Sequence, residues 1–220
     1  MSLTIQNVVF ACPGNTPESY ERGARPVADF YAGLLGMEVV REDWFIVGGG
    51  ASDVQLGFGD GPIDYQPPGW PDGAQQMHLD IAVPSRSFEP RGAQLLQDNG
   101  EWQVYADPIG HPFCLYPGAP DRTEIRRIVI DCPDPQALAS FYSALLDRPQ
   151  RSLDTQSRVV LAGSPELAFQ QSTSPAPRWP DPAYPQQVHL DLLADDVPTA
   201  RAHALSVGAE IGRASCRERV

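Results

Sequence analysis

At 220 residues the chain is long enough for two domains of ordinary size, each with its own core. Its 28 acidic and 16 basic residues give a formal net charge of −12, which excludes a surface built to attract nucleic acid or anionic lipid. No apolar run approaches a membrane span and the N-terminus lacks a signal-peptide pattern. Cys12, Cys114, Cys132 and Cys216 show neither CxxC pairing nor disulfide-framework spacing, so a cytoplasmic protein in a reducing compartment is expected.

The first predicted strand, Ile5 to Gly14 (IQNVVFACPG), ends in Cys-Pro, where proline stops a ladder. Val27 to Glu42 carries apolar residues at helical spacing and then runs into a strand. Trp44 follows, ahead of Gly48-Gly49-Gly50, a triplet without the strand-to-helix context of a nucleotide loop. Asp53 to Gly59 alternates as a half-buried strand, and a proline-rich loop carries Trp70-Pro71-Asp72. Gln75 to Val83 (QQMHLDIAV) is a strand expected to lead into a second helix. Trp102 to Pro117 reads as two strands joined by a Pro-Ile-Gly turn.

The same order then recurs. Ile125 to Asp134 (IRRIVIDCPD) matches the first strand, Ala137 to Ser152 the helix, and Pro165 to Gln171 the next strand. A second Trp-Pro-Asp stands at 179 to 181, and Gln186 to Ala194 (QQVHLDLLA) shares Gln-Gln-x-His-Leu-Asp with the first copy. After Ala200 to Glu210 no counterpart of Trp102 to Pro117 follows. Residues 211–220 stand outside the repeat and read as a non-native tail. The expected organisation is a first domain at 1–120, a second at 121–210 lacking its last strands, and an exposed edge there that self-associates.

The first strand pattern, the His-Leu-Asp strand and the Asp-Pro-x-Gly-x-Pro-Phe-Cys-Leu ending resemble the vicinal oxygen chelate superfamily, most closely its glyoxalase-like and bleomycin-resistance-like branch. The resemblance implies an α+β fold of tandem glyoxalase-like domains. Each is made of paired βαβββ modules that form a cup-shaped mixed sheet, with helices outside and a small-molecule site inside.

Strand alternation sends Val8, Phe10, Leu56, Phe58, Leu79, Ile81, Val83, Phe113 and Leu115 to one face. Asn7, Gln55, His78, Asp80, Cys114 and Tyr116 take the other, with Arg127, Glu166 and His189 as second-copy equivalents. The resemblance places these where metal-using members carry His and Glu. Amides are weak ligands, and an arginine in the site would repel a cation and pair with Glu166, so no cofactor is expected. If a divalent metal (Zn, Fe, Ni or Mn) were held, His78, Gln55, Glu166 and His189 are the residues left for it. His78 and His189 read equally well as structural hydrogen-bonding residues, and Cys114 as a small hydrophobe, since no histidine stands beside it in sequence. Trp44 and Trp70 are aromatic candidates for ligand contact.

The favoured reading is therefore a metal-independent cup that binds a small organic molecule. The alternatives are a metal-dependent lyase, isomerase or ring-cleaving dioxygenase of the superfamily, and a protein in which one domain is purely structural.

Overall fold

A computed structural model describes residues 2–13, 17–42, 45–61, 65–71, 75–118, 121–151, 157–173 and 186–211. Trp44, the second Trp-Pro-Asp loop and residues 212–220 of the tail lie outside the described residues.

The first copy begins with β1 (Leu3–Pro13) and α1 (Pro17–Leu35), a helix that starts well before Val27. Ala24, Val27, Ala28, Tyr31, Leu34 and Leu35 recur every three or four residues along α1 and are all buried, which is what pins it to the sheet. β2 (Glu38–Arg41), β3 (Ile46–Gly48), β4 (Gln55–Gly61) and β5 (Met77–Val83) follow. The expected helix after β5 does not form. Residues 84–93 run without regular structure because Pro84 and Pro90 interrupt the segment and Gly92 adopts φ +93°. The copy closes with β6 (Gln94–Asp98), β7 (Gln103–Ala106) and β8 (Pro112–Pro117).

The second copy supplies β9 (Glu124–Cys132), α2 (Pro135–Leu146), β10 (Arg158–Leu161), β11 (Glu166–Gln171), β12 (Val188–Ala194) and α3 (Val197–Ser206). Both of its helices are started by an aspartate N-cap. Asp134 accepts from the Ala137 amide and Asp196 from the Thr199 amide, each at 2.9 Å. None of the described helices is long and apolar enough to cross a membrane.

These strands build two mixed sheets, and each sheet draws on both copies. The seven-stranded sheet has the order β10-β11-β9-β5-β8-β7-β6 and the five-stranded sheet the order β12-β1-β4-β3-β2. The tandem α+β architecture stands, while the modules find their partners across the duplication. β5 of the first copy lies antiparallel to β9 of the second, and β1 lies antiparallel to β12. On either side of the β5/β9 join the halves match, with β8 parallel to β5 and β11 parallel to β9.

The repeated Gln-Gln pairs explain themselves at this join. The Gln76 amide N–H donates to Gln187 Oε1 at 3.0 Å and the Gln187 amide donates to Gln76 Oε1 at 3.2 Å. Flanking main-chain bonds repeat the symmetry, from the Ala11 amide to the Gln187 carbonyl (2.8 Å) and from the Asp131 amide to the Gln76 carbonyl (2.9 Å). Two like side chains thus clasp each other between the sheets and satisfy backbone donors that burial would otherwise strand.

The main core lies between the sheets and α1, where Phe10, Tyr31 and Phe58 stack with ring centroids 5.4–5.8 Å apart. The predicted Pro-Ile-Gly turn joins β7 to β8 and is folded around Asp107. Its Oδ1 accepts from the amides of Ile109, Gly110 and His111 at 2.9–3.0 Å. Burial nonetheless pushes the Asp107 carboxyl up to about 7, against the pull of those donors, and burial pushes the neighbouring His111 imidazole down to about 4.

The two groups act on stability with opposite signs. Folded Asp107 holds a proton that the unfolded chain has lost, so its contribution falls as pH rises from about 4 to about 7. Folded His111 refuses a proton that the unfolded chain takes up, so its contribution falls as pH drops from about 6.5 to about 4. Asp107→Asn removes the first and keeps an oxygen for the turn. Its Tm is expected to fall more steeply than wild type on acidification from about pH 6.5 to about pH 4.5. Parallel Tm curves in calorimetry would contradict this assignment.

Candidate functional site

The site stands on the face of the seven-stranded sheet turned away from the main core. Alternation along β9 puts Arg127, Val129 and Asp131 on this face. Register then sets Glu166 opposite Arg127, Ala168 opposite Val129 and Gln170 opposite Asp131 on β11. Val129, Val160 and Ala168 form a small apolar floor separate from the main core. Across the join, β5 contributes His78 and Asp80, and β8 contributes Cys114 and Tyr116. A cavity of about 310 Å³ opens above them, walled by Trp70, Trp102, Tyr116 and Phe113, with Gln75, His78, Cys114, Asp131, Arg158 and Gln170 among its polar lining. The rings of Trp102 and Tyr116 stack at 6.0 Å and 16°.

Of the residues expected from the sequence, His78, Asp80, Cys114, Tyr116, Arg127 and Glu166 are brought together here, with Trp70 at the rim. Asn7, Gln55 and His189 belong to the other sheet. There Asn7 Nδ2 donates to Asp191 Oδ2 at 3.0 Å and His189 Nε2 lies 3.4 Å from Asp191 Oδ1. Trp44 lies outside the described residues. Gln75, Trp102, Asp131, Arg158 and Gln170 escaped the sequence reading. Asp131 was within its reach, because it follows Arg127 and Val129 on the same alternation.

The charges of this site lie close to opposite charges, and all but the exposed Arg151 are largely buried. Arg127 Nε donates to Glu166 Oε2 at 2.8 Å, and Arg151 Nη1 donates to Oε1 of the same carboxylate at 2.6 Å. Asp80, fully buried, has Arg127 Nη1 at 3.8 Å, Arg158 Nη1 at 4.0 Å and His78 Nε2 at 3.6 Å. Burial raises the Asp80 carboxyl, and these three cations oppose that shift. His78 Nδ1 lies 3.3 Å from Asp131 Oδ2, and the Gln75 side-chain nitrogen approaches both, at 2.6 Å from Nδ1 and 2.9 Å from the carboxylate. Burial works against charging His78, yet its bonds to Asp131 and Cys114 and the charge of Asp80 hold its pKa well above the ordinary value. His78 thus stands between the carboxylates of Asp131 and Asp80. A histidine does stand beside Cys114, brought there by the sheet and not by sequence proximity.

A cup assembled from two paired modules, with facing residues contributed by strands on both sides of a pseudo-twofold join, marks the vicinal oxygen chelate class, although the β5–β8 module lacks the helix of the βαβββ pattern. The family model for the glyoxalase-like domain matches residues 20–116 and again 127–219, and the chain belongs to that family. No curated protein sequence matches it. Among solved structures, glyoxalase I from Zea mays superposes with a TM-score of 0.59 at 14% identity, covering 94% of this chain and 79% of that one. A dioxygenase-like protein from Bacillus subtilis gives a TM-score of 0.49 at 13% identity, over 76% of this chain and 63% of that one. At 14% identity the likeness to the Zea mays protein is one of fold.

The family resemblance implies a metal, and the residues present do not fit one. The positions that face each other across the join are His78 and Cys114 on one side and Arg127 and Glu166 on the other. Both oxygens of Glu166 are taken by guanidinium groups, and Asp80 has two more guanidinium nitrogens within 4.0 Å. The donor atoms of His78, Asp80 and Cys114 do gather within 4.8 Å of one another. A divalent ion at that point would stand against the same arginines. Two unit charges 4 Å apart interact by about 4 kcal/mol at an effective dielectric of 20, and a doubly charged ion feels about twice that.

If the Arg127–Glu166 pair is the structural substitute for a metal, each partner should depend on the other. Arg127→Met leaves Glu166 buried with only Arg151, and is expected to cost about 3 kcal/mol in urea denaturation. The double variant Arg127→Met/Glu166→Gln is expected to recover at least about 1 kcal/mol of that loss through the coupling term. Strict additivity of the two single changes would deny the pairing.

Proposed function

We propose that the chain is a metal-independent binding cup for a small planar organic anion, held in the cavity between the Trp102/Tyr116 wall and Arg158. The observation that carries this reading is the guanidinium of Arg127 bonded to Glu166 where the family's metal-using members coordinate an ion. Three further features support it. The cavity volume, about 310 Å³, falls at the small end of the range for organic ligands. Stacked aromatic rings offer a flat apolar surface. Arg158 reaches the cavity from β10, and a guanidinium matches a carboxylate geometrically as well as electrically.

The probe is salicylate, a planar aromatic carboxylate, titrated against tryptophan fluorescence, with benzyl alcohol as the neutral comparison. Salicylate is expected to quench the fluorescence saturably and benzyl alcohol not to. Arg158→Met is expected to weaken salicylate at least about tenfold, the value of one charge-assisted hydrogen bond. Elemental analysis of the same protein is expected to find transition metal well below one equivalent. Stoichiometric zinc, iron, nickel or manganese, whose removal by chelator abolishes binding, would overturn this reading in favour of a metal-dependent member of the family.

A further inference from the structure

We propose that Cys114 is a nucleophile that adds to an electrophilic carbon conjugated to a carbonyl group, with His78 as its proton partner and Asp131 as the positioning residue. The proposal deepens the cavity reading above by naming the chemical class of molecule that the cavity would capture covalently.

Three observations converge on it. Cys114 lines the cavity on β8, and its sulfur lies within 4.8 Å of the donor atoms of both His78 and Asp80. The Nδ1 edge of His78 is engaged by Asp131 at 3.3 Å and its Nε2 lies 3.6 Å from Asp80, with the Cys114 sulfur within 4.8 Å of the imidazole's donor atom. Asp131 is itself held, accepting from Gln75 Nε2 at 2.9 Å and Gln170 Nε2 at 3.2 Å, with 6% of its side chain exposed. A thiol, an imidazole and an anchored carboxylate in series form the arrangement by which a weak nucleophile is activated and its base is oriented.

The other described cysteines show what the chain looks like without that arrangement. Cys12 is fully buried, and burial drives its thiol far above the ordinary value. Burial and the charges of Asp131 and Asp134 push the Cys132 thiol up to about 11. Neither lines this cavity. They serve as internal controls within the same molecule.

The step balances without any oxidant or reductant. The sulfur lone pair forms a bond to the β-carbon of an α,β-unsaturated carbonyl compound, and the carbon–carbon π pair moves toward the carbonyl as an enolate. Arg158 stands in the cavity to meet the developing oxyanion charge. The proton that left the thiol for His78 returns to the α-carbon, so the product is a thioether and nothing is expelled.

Acrylamide, small enough for the cavity, is the probe, and labelling of each cysteine is followed by peptide mass spectrometry on the folded full-length chain. Cys114 is expected to react at least about tenfold faster than Cys12 and Cys132, because it alone of the three lines the cavity beside an imidazole. His78→Asn is expected to slow Cys114 at least about tenfold. Asp131→Asn should slow it as well, and Asp131→Glu, which restores a carboxylate, should recover part of the rate. That recovery separates positioning from mere structure, and it decides the matter should His78→Asn fail to fold. Saturating salicylate is expected to protect Cys114.

Labelling of Cys114 no faster than its controls overturns the proposal, as does an unchanged rate in folded His78→Asn. Asp131→Asn and Asp131→Glu behaving alike would overturn the role given to Asp131. Salicylate binding without rapid labelling sinks the thiol chemistry alone. Rapid His78-dependent labelling without salicylate binding sinks the anion reading alone.

Discussion

The antiparallel register of β5 against β9 determines where every side chain of the site stands. Leu79 pairs with Ile128 and Met77 with Ile130, and these apolar side chains all go into the core. His78 and Asp80 are thereby opposed to Val129 and Arg127 on the other face. A slip of one residue would turn Arg127 and Asp131 into the core and strand two charges there, a cost far larger than any gain from altered packing. The Gln76–Gln187 clasp and its flanking main-chain bonds tie this join to the second sheet. The duplication therefore does more than double the core. It makes one cup out of residues from both copies.

That register also concentrates charge. The chain as a whole is strongly acidic, yet the cup brings Arg127, Arg151, Arg158 and His78 against Asp80, Asp131 and Glu166. Removing such groups from water is costly, and the attraction between them only roughly offsets that cost, so the network is poor evidence for added stability. Its consequence is local. On the proposed reading, an anionic ligand approaching a chain of net charge −12 would be repelled at long range and attracted only within the cup, beside Arg158. Affinity for anions should then come from slow release after contact, not from fast capture.

Much of the fold was legible because apolar alternation and helical spacing are local signals. The repeat, the Asp107 turn and the two inward faces all follow from them. Partner choice is different. Within each copy the strands are spaced as if the two modules of that copy faced each other, and only tertiary pairing shows that β5 meets β9 and β1 meets β12. For that reason six of the candidate residues met in one cup while Asn7, Gln55 and His189 went to the other sheet. Arg158 and Trp102 carried no motif, and their place depends on β10 and β7, each two strands beyond the β5/β9 join. The absent helix at 84–93 has a local cause that composition did show, in Pro84 and Pro90. The repeat equivalence with Ala200 to Glu210 pointed the other way.

The two histidines of the shared Gln-Gln-x-His-Leu-Asp show how one sequence element acquires two environments. β5 is hydrogen-bonded on both edges, to β9 and β8, so His78 is enclosed, and Asp131 from one neighbour and Cys114 from the other reach it. Among the described residues β12 pairs only with β1, and His189 keeps 27% of its side chain exposed beside Asp191. Identical residues at identical strand positions thus differ in burial and partners because of what the neighbouring strands contribute. Reactivity in this fold is therefore set by the pair of modules that face each other, and a motif read from one copy locates a functional residue without revealing its chemistry.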